Sequence, residues 1–284
     1  MTDKIIALVD GSTYAASVCE HAAWMSARSG SPVHLLHVLG RREAAGAQDL
    51  SGAIRLGARS ALLEELSTLD AQRSRIANAQ GRALLEDARA LAESTGAVDV
   101  TTRLDQGDLI DRAAGRETDA KMIVIGKRGA AADFARGHLG SNLERIVRAA
   151  RVPVLVAARA FRPISRVLIA FDGGSSAVKA VDHIAADPAF QGLAIEVAMV
   201  APGPRNADSH LDEAILRLRA SGLDAQQVVL DGQPEAALIN RIEERDHDLL
   251  VMGAYGHSRI RQLIIGSTTT QMLIESRRPV LLFR

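Results

Sequence analysis

Ile5-Ile6-Ala7-Leu8-Val9-Asp10-Gly11 and, 162 positions later, Val167-Leu168-Ile169-Ala170-Phe171-Asp172-Gly173 decide the fold. Each is a near-continuous apolar run of strand length ending in Asp-Gly, the pattern of a strand covered on both faces. Val38, closing His34-Leu35-Leu36-His37-Val38, returns at the same offset as Val200, closing Glu196-Val197-Ala198-Met199-Val200. Lys121-Met122-Ile123-Val124-Ile125-Gly126 returns as Asp248-Leu249-Leu250-Val251-Met252-Gly253, now 127 positions on, so the first copy carries 35 extra residues. Val152-Pro153-Val154-Leu155-Val156 and Arg278-Pro279-Val280-Leu281-Leu282 close the two copies alike. In both, Pro stands at the strand start, where a missing N–H is tolerated. The chain is therefore an internal repeat of one α/β unit.

Helical periodicity falls between these strands, at about 13–29, 59–95, 107–117 and 141–150 in the first copy and 176–187, 208–221, 234–245 and 267–276 in the second. Parallel strands need long crossovers, usually helices, so the alternation predicts two doubly wound, Rossmann-like domains in tandem, each a five-stranded parallel sheet. They are expected over residues 1–158 and 163–284, with Ala157 to Pro163 as linker. The extra residues of the first copy lie between its second and third strands. There a Gly/Ala-rich lead-in, Gly40 to Gly57, leads into a very long helix, Arg55 to Glu93, with Ala and Leu on one side. That helix is expected to project past the sheet or cover the other half, either as a charge-stabilised spacer or as a docking surface.

A length of 284 residues suits two domains of ordinary size. Hydrophobic residues at 47% with aromatics at only 3% predict cores filled by Ala, Val, Leu and Ile. Lys plus Arg and Asp plus Glu total 34 each, so no net field draws the chain to nucleic acid or anionic lipid. The first residues hold only a five-residue apolar run, too short for a signal-peptide core or a membrane span, and a cytoplasmic protein is expected. A single cysteine, Cys19, excludes an internal disulfide, and its place in a helical pattern with Val18, Ala22 and Ala23 reads as packing.

Chemistry concentrates in the loop after the fourth strand of each copy. In the second copy, Gly253 to Ser267 follows Gly-x2-Gly-x9-Gly-Ser, with glycines at 253, 256 and 266. Glycines after a strand let backbone approach a ligand, and Gly-Ser at a helix start offers free N–H groups and a hydroxyl to an anion. In the first copy Gly126, Gly129, Gly140 and Ser141 repeat the pattern with ten residues instead of nine between the second and third glycines. Lys127 and Arg128 add positive charge there. Neither loop is a Gly-x4-Gly-Lys-Ser/Thr or a dinucleotide Gly-x-Gly-x2-Gly motif. The alternative is that the glycines form mere turns and that Asp10 and Asp172 only cap the helices that follow. His138 and His257 lie inside the loops, where a solvated histidine is the ordinary case.

With this spacing both copies resemble the universal stress proteins, whose sheet is of the adenine nucleotide alpha hydrolase type and whose ATP-binding members carry this loop. The resemblance implies that Asp172 contacts the nucleoside, Val200 meets the adenine, and Gly253, Gly256, Gly266 and Ser267 hold phosphates, with Thr268 adding a hydroxyl. It implies the same roles for Asp10, Val38, Gly126, Gly129, Gly140 and Ser141, with Arg128 beside them, although the extra residue departs from the family pattern. It also implies that the last strands, around Val154 and Val280, pair across the two halves as an intramolecular pseudo-dimer; a homodimer of whole chains stays open. The expected ligand is ATP, any Mg²⁺ arriving with its phosphates rather than in a protein cage. The function so implied is nucleotide sensing in a stress response, with at most weak hydrolysis because no base is evident. A nucleotide-free interaction scaffold is the alternative.

Overall fold

The computed structural model describes residues 3–40, 59–129, 139–200, 209–254 and 265–284. The first half runs β1 (Lys4–Leu8), α1 (Ala15–Ser29), β2 (Val33–Leu39), α2 (Arg59–Ser94), β3 (Val100–Gln106), α3 (Leu109–Ala114), β4 (Ala120–Gly126), α4 (Ser141–Ala149) and β5 (Val154–Ala157). The second runs β6 (Arg166–Ala170), α5 (Ser175–Ala186), β7 (Ala194–Val200), α6 (Ser209–Ala220), β8 (Asp224–Leu230), α7 (Pro234–Glu244), β9 (Leu249–Gly253), α8 (Ser267–Glu275) and β10 (Val280–Phe283). Strand and helix alternate as the periodicity predicts. Among the described residues no helix is long and apolar enough to cross a membrane.

The strands form one ten-stranded sheet in the order β3-β2-β1-β4-β5-β10-β9-β6-β7-β8. Each half contributes five parallel strands, and the halves meet where β5 and β10 pair antiparallel. The register Val156↔Val280, Leu155↔Leu281 and Val154↔Leu282 centres a pseudo-twofold relation on the leucine pair. The strands of the two halves therefore run in opposite directions, and their carboxyl rims lie on opposite edges of the sheet.

The apolar runs are continuous because both faces are covered. Ile5, Ala7 and Val9 face Val18, Cys19, Leu85 and Ala88 of α1 and α2, while Ile6 and Leu8 share the other face with Leu143, Ile146 and Val147 of α4. In the second half Val167, Ile169 and Phe171 join Val181 and Leu211 of α5 and α6, and Leu168 joins Leu238 and Met272 of α7 and α8. Each core layer runs across the seam, through Leu155 and Leu281 on one face and Val154 and Leu282 on the other. Cys19 is packed in this core, and burial pushes its thiol up to about 12, away from thiolate chemistry.

Helix α2 packs on α1, β2 and β3 through its later turns, where Leu85, Ala88 and Ala92 are buried. Gly81 allows the close approach, since a Cβ there would lie 2.8 Å from Leu104 Cδ1 and 3.1 Å from His37 Cδ2. The Gln106 amide, at the carboxyl end of β3, donates to Asn78 Oδ1 at 3.4 Å. The turns ahead of Asn78 thus run past the carboxyl rim for about 28 Å. Leu69 and Ile76 are exposed on that projecting part. The lead-in at 41–58 lies outside the described residues.

Candidate functional site

In each half the chain leaves the first strand toward one face of the sheet and reaches the fourth strand from the other, so a crevice opens at the carboxyl ends between them. In the first half Gly126 ends β4 beneath Tyr14, where an added Cβ would lie 2.6 Å from Tyr14 Cβ. The loop that follows closes on itself as the Gly140 N–H donates to the Lys127 carbonyl at 3.2 Å. A Cβ on Gly140 would lie 3.3 Å from both Arg128 Cα and Lys127 O, and one on Gly129 would lie 3.0 Å from Asp10 Oδ2. Asp10, Arg128, Gly129, Gly140 and Ser141 therefore converge at one rim, with Val38 at the end of the neighbouring β2. Gly140 caps α4 without a side-chain hydrogen bond, and Ser141 is exposed at the first turn. The cap residue itself, a glycine, thus offers no side chain to the opening N–H groups of that helix.

The second half repeats the closure. Gly266 N–H donates to the Ala254 carbonyl at 3.2 Å and caps α8, again without a side-chain bond, with Ser267 exposed at its first turn. Thr269 Oγ1 donates to the Gly253 carbonyl at 3.1 Å and ties the helix start to the end of β9. Val200 ends β7 beside Leu230. Asp172 is exposed, and its Oδ1 accepts the Gly174 N–H at 2.8 Å across a turn in which Gly173 takes φ +74°. Gly256, His257 and His138 lie outside the described residues.

Three readings of single residues change in the structure. Asp10 and Asp172 do not cap helices: each accepts an N–H two residues on, Ser12 at 3.0 Å and Gly174 at 2.8 Å, while the caps of α1 and α5 are Tyr14 and Gly174. They fasten the turns that leave β1 and β6. Thr268 does not offer its hydroxyl proton to the loop, because Oγ1 donates to Glu235 Oε1 at 2.6 Å in the first turn of α7. Lys127 does not face the loop either. It is buried, and its Nζ donates across the seam to the carbonyl of Ser276, which caps the far end of α8. Burial, with the charge of Arg128 beside it, holds Lys127 down at about 8. The repeat carried one signal for this: at the position of Lys127 the second copy has Ala254, a buried apolar residue. Among the described residues no group of three or more His, Cys, Asp or Glu is placed to hold a metal ion.

Two halves of one design, each closing a glycine loop over the switch point of a parallel sheet, define a tandem protein of the Rossmann-like, nucleotide alpha hydrolase type. The model of the Universal stress protein family matches residues 1–158 and again 163–284, and the chain belongs to that family. Universal stress protein Slr1230 of Synechocystis sp. is 35% identical over 287 residues, covering 99% of each chain. Among solved structures, a universal stress protein from Archaeoglobus fulgidus superposes with TM-score 0.70 at 18% identity, covering 99% of this chain and 96% of that one. A second, from Pseudomonas aeruginosa, gives 0.62 at 16% identity, covering 99% and 93%. At these identities the two structures bear on the fold alone.

Proposed function

We propose that the chain is an adenine-nucleotide-binding stress-response module of two domains, residues 1–158 and 163–284, in which ATP is held by at least one half. One observation carries this reading. The same closing bond, Gly140 to Lys127 and Gly266 to Ala254 at 3.2 Å, sets a helix start capped by glycine at the crevice of each half. Backbone N–H groups there suit a polyanion, and the helix dipole adds to the attraction. The first-half glycines fit that role, since a Cβ at 129 or 140 would crowd Asp10 or the backbone of 127–128. Asp172, Val200, Gly253, Gly256, Gly266 and Ser267 are the proposed contacts of the second half. Asp10, Val38, Gly126, Arg128, Gly129, Gly140 and Ser141 are those of the first. Mg²⁺ would enter with the phosphates.

The second half has the family's loop spacing and is the proposed principal site. Calorimetry with MgATP is expected to show saturable binding that Gly266→Val abolishes there, and mass spectrometry of gently purified protein should detect co-purified nucleotide. No saturable heat at millimolar ligand would remove the proposal. The scaffold reading draws on the exposed Leu69 and Ile76 of the projecting α2. It requires a partner whose capture is lost when both are replaced by Glu while nucleotide binding is unchanged.

A further inference from the structure

Lys127 and Ala254 do the same backbone work, since each carbonyl accepts the glycine N–H that closes its loop. Their side chains differ. Ala254 ends in the core of its own half, whereas the Lys127 stem crosses the seam and grips the carbonyl of Ser276. Ser276 is buried and takes up the end of α8 through its own N–H to Met272 O at 2.9 Å. A cation there meets the negative end of the dipole of a helix whose other end, at Gly266 and Ser267, faces the second crevice. A reciprocal contact runs from Arg284 Nη1 to the Arg148 carbonyl at 2.7 Å, in the last turn of α4. Both loop helices thus end on a cation from the opposite half. The two links are unequal, because Arg284 follows β10 and belongs to neither glycine loop, while Lys127 belongs to the first loop itself.

We propose that Lys127 is a positioning residue that couples the two glycine loops, so that displacement of the first loop is passed through Ser276 to α8 and changes the order of that helix. The link needs no ligand. Where the nucleotide reading of the preceding subsection holds, the same link changes the affinity of the second site when the first loop is displaced. The path is short: Gly129, where an added Cβ would lie 3.0 Å from Asp10 Oδ2, is two residues from Lys127, and Gly140 is bonded to the Lys127 carbonyl.

The experiment is a double-mutant cycle read by hydrogen exchange in the ligand-free full chain. Gly129→Val, which drives a side chain onto the Asp10 carboxylate, is expected to speed exchange of the amides of 267–275 about fivefold when Lys127 is present, within the usual span of such couplings. In a Lys127→Met background the same substitution should change it less than twofold. Gly140→Ala is the milder second perturbation should Gly129→Val not fold, and the same contrast is expected. Equal effects in both backgrounds, or no effect on 267–275 in either, would overturn the coupling. MgATP calorimetry on the same four proteins separates the two proposals. Coupled exchange with no nucleotide heat refutes the nucleotide reading and leaves the coupling standing. Nucleotide binding with uncoupled exchange does the reverse.

Discussion

Acid should loosen this protein through His21, and the size of the effect follows from where the ring sits. His21 lies on α1, fully buried, with Nδ1–H donating to the Ser17 carbonyl at 2.6 Å and its ring edge-on to Phe161 at 5.0 Å. Burial lowers its pKa from 6.5 to about 4, opposed in part by the Ser17 bond. The unfolded chain therefore takes up this proton near pH 6.5 and the folded chain only near 4. Between those values the unfolded state binds more protons, so stability falls as pH falls, and the whole contribution is lost by about pH 4. From pH 7 to pH 5 this one residue should cost about 2 kcal/mol. His21→Leu keeps the volume and removes the titration. Urea unfolding of both proteins at pH 7 and pH 5 is expected to show the parent losing about 2 kcal/mol more than the variant. His34 and His247, also pushed down by burial, act in the same sense but are common to both proteins and cancel in the difference. Equal losses in the two proteins would refute the reasoning.

Gly126→Ala puts a Cβ 2.6 Å from Tyr14 Cβ, so α1 must shift at its start; a loss of about 1–3 kcal/mol is expected in denaturant unfolding. Leu281→Ala, at the centre of the seam opposite Leu155, should cost about 2–5 kcal/mol, and hydrogen exchange should show faster opening of both β5 and β10. Glu235→Gln removes a carboxylate that stands by the start of α8 through Thr268, and MgATP should bind severalfold more tightly, most clearly at low salt. An unchanged or weaker affinity would place the phosphates elsewhere.

The layout of strands and helices was legible because burial on both faces leaves no polar alternation in the runs at Ile5 and Val167, and because the same offsets recur down the chain. Helix limits agree to within about two residues except at α3, expected at 107–117 and found at Leu109–Ala114. There Asp108 caps the helix through the N–H groups of Ile110 and Asp111, and Gly115 follows its last residue. The seam expected near Val154 and Val280 is the β5–β10 pair. Directions of single side chains were not legible. Lys127 beside Arg128 reads as loop charge, yet its partner is 149 positions away, and a long stem lets the ammonium leave the loop for another half. Thr268 meets Glu235 because α7 and α8 pack side by side, a contact that helix periodicity alone does not specify. The turn role of Asp10 and Asp172 was half visible: Asp-Gly announces a turn, but the helices begin later than a direct cap requires.

The antiparallel seam lies within one polypeptide. In an assembly of identical subunits every amino-acid change is made twice, once on each side of the axis, and the pairing weakens on dilution. A covalent join lifts both constraints: association no longer depends on concentration, and a residue can alter on one side alone. Lysine at 127 against alanine at the equivalent position 254 is such a one-sided change, and it gives the first loop a side-chain contact across the seam where the second copy has a buried apolar residue.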